Sequence, residues 1–245
     1  MAINDDNPAK CIYNGHEYVD LGLSVKWATC NIGAENSHDS GGYFSWGEVE
    51  EKEYYDSDHY KWYCEIDNYP YHKVLKYCSN KEDSYGLFKR IDNKTVLDPE
   101  DDAAHVLWGG TWRIPTTKEW LELINNCTWE WRFNGKYRRD PLDGYCVTSK
   151  IPGYTDRHLF LPAAGFIPYH FIKGDPRSIY EENKEGEYWA NSKLSDHSFR
   201  AHICSINEKH VWSSNLLFMV DSNITVTESI HGIRDHGCSI RPVCI

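Results

Sequence analysis

The chain has 245 residues, enough for one large domain or two small ones, and long enough to bury a core without disulfides. Its formal charge of −11 and pI of about 5.5 argue against nucleic acid or an anionic membrane surface as the main partner. No run of about 18 apolar residues is present, so direct membrane insertion is not expected, and the opening Met1-Ala-Ile-Asn-Asp-Asp6 does not read as a secretory signal.

In chain order, residues 1–10 read as a tail. Tyr18-Val-Asp-Leu-Gly-Leu-Ser-Val-Lys-Trp-Ala28 places β-formers around the turn-like Gly22 and predicts a hairpin within 11–30. Gly41-Gly-Tyr-Phe-Ser-Trp-Gly47 predicts a short strand. Residues from about 49 to 107 are polar, aromatic and without period; they read as a long insertion with local turns and no core of their own. The best helix lies at 116–126. Pro115 ends the segment before it, Thr116 and Glu119 form a capping box, and Trp120, Leu123 and Ile124 share one face. Strands are expected at 158–166, 211–220, 224–227 and 238–243, with Pro242 putting the last at an edge or strand end. Leu216–Val220 should supply core. The mixture is α+β.

The chemistry-bearing residues are scattered. The nine cysteines contain no Cys-x-x-Cys pair, which excludes a zinc-ribbon or thioredoxin-like motif; they either pair in part or stay as small buried hydrophobes. His197, His202, His210, His231 and His236 match no zinc-ligand spacing and read as surface residues. Asp98, Glu100, Asp101 and Asp102 lack an Asp-x-Asp-x-Asp-Gly pattern and read as a solvated acidic loop, not a calcium site. No nucleophile stands beside a base, so no catalytic residue, no metal and no cofactor is expected. Trp108, Trp112 and Arg113 border the capped helix and are assigned to the fold.

Six islands, Tyr18–Ala34, Gly42–Glu48, Leu97–Ala104, Trp108–Pro115, Asn126–Trp129 and Phe160–Phe166, jointly resemble the Fibrobacter succinogenes major paralogous domain family, which is frequent in gut Bacteroidetes. The resemblance runs from residue 11 to the C-terminus. It implies a C-type lectin fold of the branch that includes formylglycine-generating enzymes, a single domain over 11–245, and a non-enzymatic, adhesin-like binder at the cell surface. Some members resemble variable proteins diversified by retroelements, in which adenines are mutated. Every residue of Ser195–Asn207 and Ser229–Gly237 is reachable by adenine mutation of an Asn codon. This implies a binding segment at 190–236, with Phe199, Arg200, His202, Asn207, Trp212, Asp221, Asn223, His231, Arg234, Asp235 and His236 as candidates to meet an unknown protein or glycan on another cell. Tyr188-Trp-Ala-Asn-Ser192 departs from the family's usual Tyr-Trp-Ser-Ser-Ser. The absence of Glu-Pro-Asn, Gln-Pro-Asp or Trp-Asn-Asp triplets speaks against a calcium-bridged sugar site.

Two alternatives stand beside the binder. Formylglycine-generating enzymes hold copper with two cysteines near their C-terminus, and Cys238 and Cys244 invite that comparison. Six residues of regular strand would hold them about 20 Å apart, however. A structural subunit of a surface fibre or phage tail would use the same scaffold and need an oligomer interface. If 11–245 is one domain, limited proteolysis should leave one large core with nicks confined to 50–105; two stable fragments meeting near the middle would refute it.

Overall fold

Helix and strand signals cluster locally, but the strands are drawn together from opposite ends of the chain. The computed structural model describes residues 10–65, 72–84, 91–133, 141–168, 171–172, 179–195, 197–213, 216–219, 225–226 and 231–245. The architecture is mixed α+β with few helical residues and many antiparallel strands.

The first sheet joins the two ends of the described chain. Its order is β1 (Lys10–Tyr13), β2 (His16–Val19), β3 (Lys26–Ala28) and β17 (Val243–Cys244), all antiparallel. The hairpin expected around Gly22 forms between β2 and β3. A second one precedes it, closed by Asn14-Gly15, whose positive φ values of 47° and 84° suit a two-residue hairpin turn. Gly22 itself cannot be replaced, because a Cβ there would lie 2.6 Å from the ring of Tyr154. β17 is an edge strand directly after Pro242, as expected.

Helix α1 (Ala103–Trp108) follows a 3-10 turn at Pro99–Asp101 and is capped by Asp102. Helix α2 (Thr117–Asn126) carries the full Thr116–Glu119 capping box and buries Trp120, Leu123 and Ile124. Arg113 grips the same Glu119 with both terminal nitrogens, at 2.8 and 2.5 Å, and bridges to Val243 through its backbone. The helix start is therefore tied to the last strand.

From α2 the chain enters a three-stranded antiparallel meander of β7 (Cys127–Arg132), β8 (Gly144–Ser149) and β9 (His158–Pro162). The short strands β4 (Tyr54–Tyr55) and β10 (Phe171–Ile172) pair with each other, as do β5 (Tyr63–Cys64) and β6 (Lys73–Val74). The largest sheet runs β11 (Glu185–Lys193), β12 (Arg200–Asn207), β13 (His210–Ser213), β14 (Leu216–Met219) and β15 (Thr225–Val226), with β16 (His231–Ile233) beside the first half of β12.

β11 and β12 are covered on both faces. Tyr188, Ala190, Cys204 and Ile206 join one core with Trp27, Trp120, Tyr145 and Leu161. The alternate residues Trp189, Ala201 and Ile203 join a second with Phe44, Trp46, Ile114 and Ile240. The period of two thus feeds two cores from one pair of strands.

Several expectations are corrected. Residues 41–47 form no strand; Phe44 makes a single bridge to Cys238, and Phe44 and Trp46 join the second core. The stretch 211–220 is broken into β13 and β14, which pair with each other; the side chains of 216–219 and all of Val220 lie outside what is described. Of 238–243 only the end is strand. The insertion does have a core of its own, a cluster of Tyr60, Tyr63, Val74 and Cys78 against Phe199. Segment 195–207, part of the expected binding segment, is not all surface: its second half is the two-sided strand β12.

Trp112 is fully buried against Ala28 and Cys244, and its Nε1 donates to the carbonyl of Tyr13 at 3.1 Å. Trp112→Ala should cost about 3–5 kcal/mol of stability in denaturant unfolding. An unchanged unfolding midpoint would show that it has no place in the fold.

Candidate functional site

The expected binding segment divides into surface and core. Arg200 is exposed and lies opposite Ile233 across the β12–β16 pair; His202 is half-buried and opposite His231. Phe199 is half-buried with its ring 5.4 Å from Tyr63, inside the insertion cluster. Trp212 and His231 are placed only as backbone in β13 and β16, and Asp221 and Asn223 lie outside the described residues.

Arg234, Asp235 and His236 do not form a ligand-facing surface. Arg234 is wholly buried; it donates to Tyr60 Oη at 3.0 Å and to the carbonyls of Ser198 and Lys76 at 2.6 and 3.2 Å, beneath the Trp46 ring. Asp235 is 1% exposed and accepts from Ser57 Oγ at 2.6 Å. His236 stacks on Phe166, and burial pushes its pKa down against the pull of Asp235. Arg234 and Asp235 fasten the C-terminal segment to the insertion.

The acidic loop is corrected as well. Lys76 Nζ lies 2.6 Å from both Asp98 and Asp101 and 3.5 Å from Glu100. Tyr77 Oη and Lys61 also donate to Asp101, and Asp102 caps α1 and binds the Ile114 amide. Hydrogen bonds and ion pairs from Lys76, Tyr77 and Lys61 outweigh burial and hold the Asp101 carboxyl below its usual range. The place a cation would take is filled by an ammonium group. All nine cysteines are free thiols. Cys238 packs beside Trp189 and Phe44, whereas Cys244 packs beside Ala28 and Trp112, so the pair considered for copper is divided between two clusters.

Asn207, at the end of β12, leads to the candidate site. Trp129, Trp131 and Phe133 lie on one face of β7 and its continuation, and burial falls along them: Trp129 is in the core, Trp131 is half-buried and Phe133 is 71% exposed. Tyr145 sits opposite Trp131 in register and packs edge-on against both indoles at 5.0 and 5.5 Å. Its hydroxyl donates to the carbonyls of Asn207 and Glu208 at 2.8 and 3.1 Å. One residue thereby fixes the aromatic shelf and the β12–β13 turn together.

Between them opens a cleft of about 330 Å³ lined by Trp131, Phe133, Asn183, Lys184 and the turn Asn207–His210. Asn207 Oδ1 accepts from the backbone amides of Lys209 and His210, both at 3.0 Å. Asn183 Oδ1 accepts from the Asp143 amide at 2.9 Å. Sequence reasoning found Asn207 and missed the rest. The alternation Trp129-Glu-Trp-Arg-Phe133 was the available signal, a strand face carrying more aromatic surface than a core edge needs. A second, more polar cleft of about 380 Å³ lies beside Trp108, on which the His16 ring stacks at 3.8 Å.

Glu187 lies on β11 with its carboxylate 3.4 Å from Cys238 Sγ. Burial first, then the charge of Glu185, raises its pKa to about 7. The folded state therefore binds the proton more tightly than the unfolded chain, and this stability is present at low pH and lost as pH rises through 7. Between pH 5 and 8 the wild type should lose about 2 kcal/mol relative to Glu187→Gln in paired unfolding curves; a constant difference would refute the shift. No known protein family, curated protein or solved structure matches the chain.

Proposed function

We propose that this chain is a non-enzymatic, adhesin-like binding protein. In this reading it belongs with the Fibrobacter succinogenes major paralogous domains, on a C-type lectin scaffold. It acts outside the cell, and its ligand is a glycan or polypeptide on another cell. The family reading is supported by where its motif residues fall. Val19, Trp27, Phe44, Trp46, Ala103, Ala104, Trp112, Ile114, Trp129, Leu161 and Ala163 are all buried, as framework residues should be.

The observation that carries the binding function is the exposed aromatic shelf at the β12–β13 turn. An exposed phenyl ring beside hydrogen-bonding groups, held by a rigid frame, has the character of a recognition site and adds nothing to the core. Retroelement diversification can operate only within limits set by packing. Changes at Ala201, Ile203, Cys204 or Ile206 would open the two cores, so variable positions are confined to exposed residues such as Arg200.

Phe133→Ala should leave stability within about 0.5 kcal/mol, as for exposed sites generally, and should abolish binding to whatever ligand the wild type selects from arrays of glycans and surface proteins. Full retention of that binding would move the site elsewhere.

A further inference from the structure

Away from the cleft, the insertion gathers an imidazole and two carboxylates at one point. Asp58, Glu65 and His72 bring one nitrogen and two oxygen donors within 4.8 Å of one another. The backbone sets them there. Tyr63–Val74 and Cys64–Lys73 are the paired residues of β5 and β6, and the same register carried one rung further sets Glu65 opposite His72. The His72 ring lies 6.1 Å from the ring of Tyr63, which is buried in the insertion cluster. Asp58 stands between two fastened neighbours. Ser57 donates its hydroxyl to Asp235 at 2.6 Å, and His59 donates its amide to Asp56 at 2.9 Å. His72 Nε2 meets Asp58 Oδ1 at 2.8 Å, and among the described residues no lysine or arginine forms an ion pair with Asp58 or Glu65. The 98–101 loop is the opposite case, with Lys76 at its centre. Cys64 is no fourth donor: its thiol donates to the Lys73 carbonyl at 3.6 Å, and burial raises its pKa.

We propose that Asp58, Glu65 and His72 bind a divalent ion of the zinc class, which locks the β5–β6 hairpin onto the 56–60 turn. Two carboxylates balance the charge of the ion, and an imidazole nitrogen suits zinc better than calcium or magnesium. Calcium takes about six to eight oxygens, more than these residues supply. In a tetrahedral shell with bonds of about 2.0–2.1 Å the donor atoms lie about 3.3 Å apart, so small side-chain rotations close the set. His72 then turns the Nε2 lone pair to the ion and carries its proton on Nδ1, in place of its hydrogen bond to Asp58. The fourth position is left to water, on the side where Asp58 and Glu65 are exposed. Because Tyr63 packs on Phe199 with ring centroids 5.4 Å apart, the ion stiffens the insertion against the start of β12. The site is independent of the cleft at the β12–β13 turn.

The test is calorimetric titration of the chelator-treated, reduced full chain with zinc, calcium and magnesium chlorides, with cobalt(II) as a spectroscopic substitute for zinc. The expected result is one zinc per chain with a Kd of about 10 μM or below, and a higher thermal midpoint when zinc is present. Calcium and magnesium should not compete at about a hundredfold excess. The cobalt form should show tetrahedral visible bands without a thiolate charge-transfer band, which separates this site from the nine free cysteines. Asp58→Asn, Glu65→Gln and His72→Gln should each weaken zinc at least about tenfold while leaving the metal-free midpoint nearly unchanged. Zinc binding that survives the triple substitution, or a thiolate band with cobalt, would place the ion elsewhere and overturn the proposal. So would the absence of binding at about 100 μM zinc. Calcium binding as tightly as zinc would overturn the ion class.

Discussion

Everything in this fold passes through β11. Its Tyr188 face and its Trp189 face enter different cores, and the polar atoms of both faces are claimed. The Trp189 indole donates to the Phe44 carbonyl at 2.6 Å, and the Trp46 indole donates to the Ala190 carbonyl at 2.9 Å. Along its free edge, Trp189 N donates to Ser239 O, and Ser239 N donates to Glu187 O. A strand buried on both faces tolerates neither a register slip nor a polar outward face, since either would put an unsatisfied group into one of the cores. The helix, the terminal sheet and the insertion all acquire their positions from it.

Buried cations do the long-range fastening. Arg241 is wholly buried and donates to Asn31 Oδ1 and to the carbonyls of Ala28 and Thr29. Arg234 does the same for the insertion, and Lys193 Nζ reaches Ser79 Oγ and the Leu194 carbonyl. These bonds end largely on backbone carbonyls and hydroxyls, so each cation recognises a loop conformation more than a countercharge. Removing one would strand several carbonyls in the interior, which is why such positions are poor places for variation.

The candidate site is stiff for related reasons. The shelf is a strand face that outruns the core, and Tyr145 ties it to the turn that forms the opposite wall. A site assembled from strand residues and a capped turn gives up little freedom on binding, so more of the contact energy remains as affinity.

The amino-acid sequence determined the features that depend on neighbours along the chain. Thr116 and Glu119 cap α2 because a capping box closes within four residues, and Pro242 stops at an edge because it lacks an amide proton. Asn14-Gly15 was equally local and legible, and so was the aromatic alternation of 129–133. Only the tertiary structure decided which residues face water. Arg200-Ala-His-Ile-Cys-Ser-Ile-Asn207 looks like a mixed polar segment until β11, β13 and β16 surround it. Arg234 and Asp235 look like surface charge until the insertion folds over them, with Tyr60 and Ser57 supplying their partners. Burial is set by chain brought from more than a hundred residues away, and no local pattern encodes it.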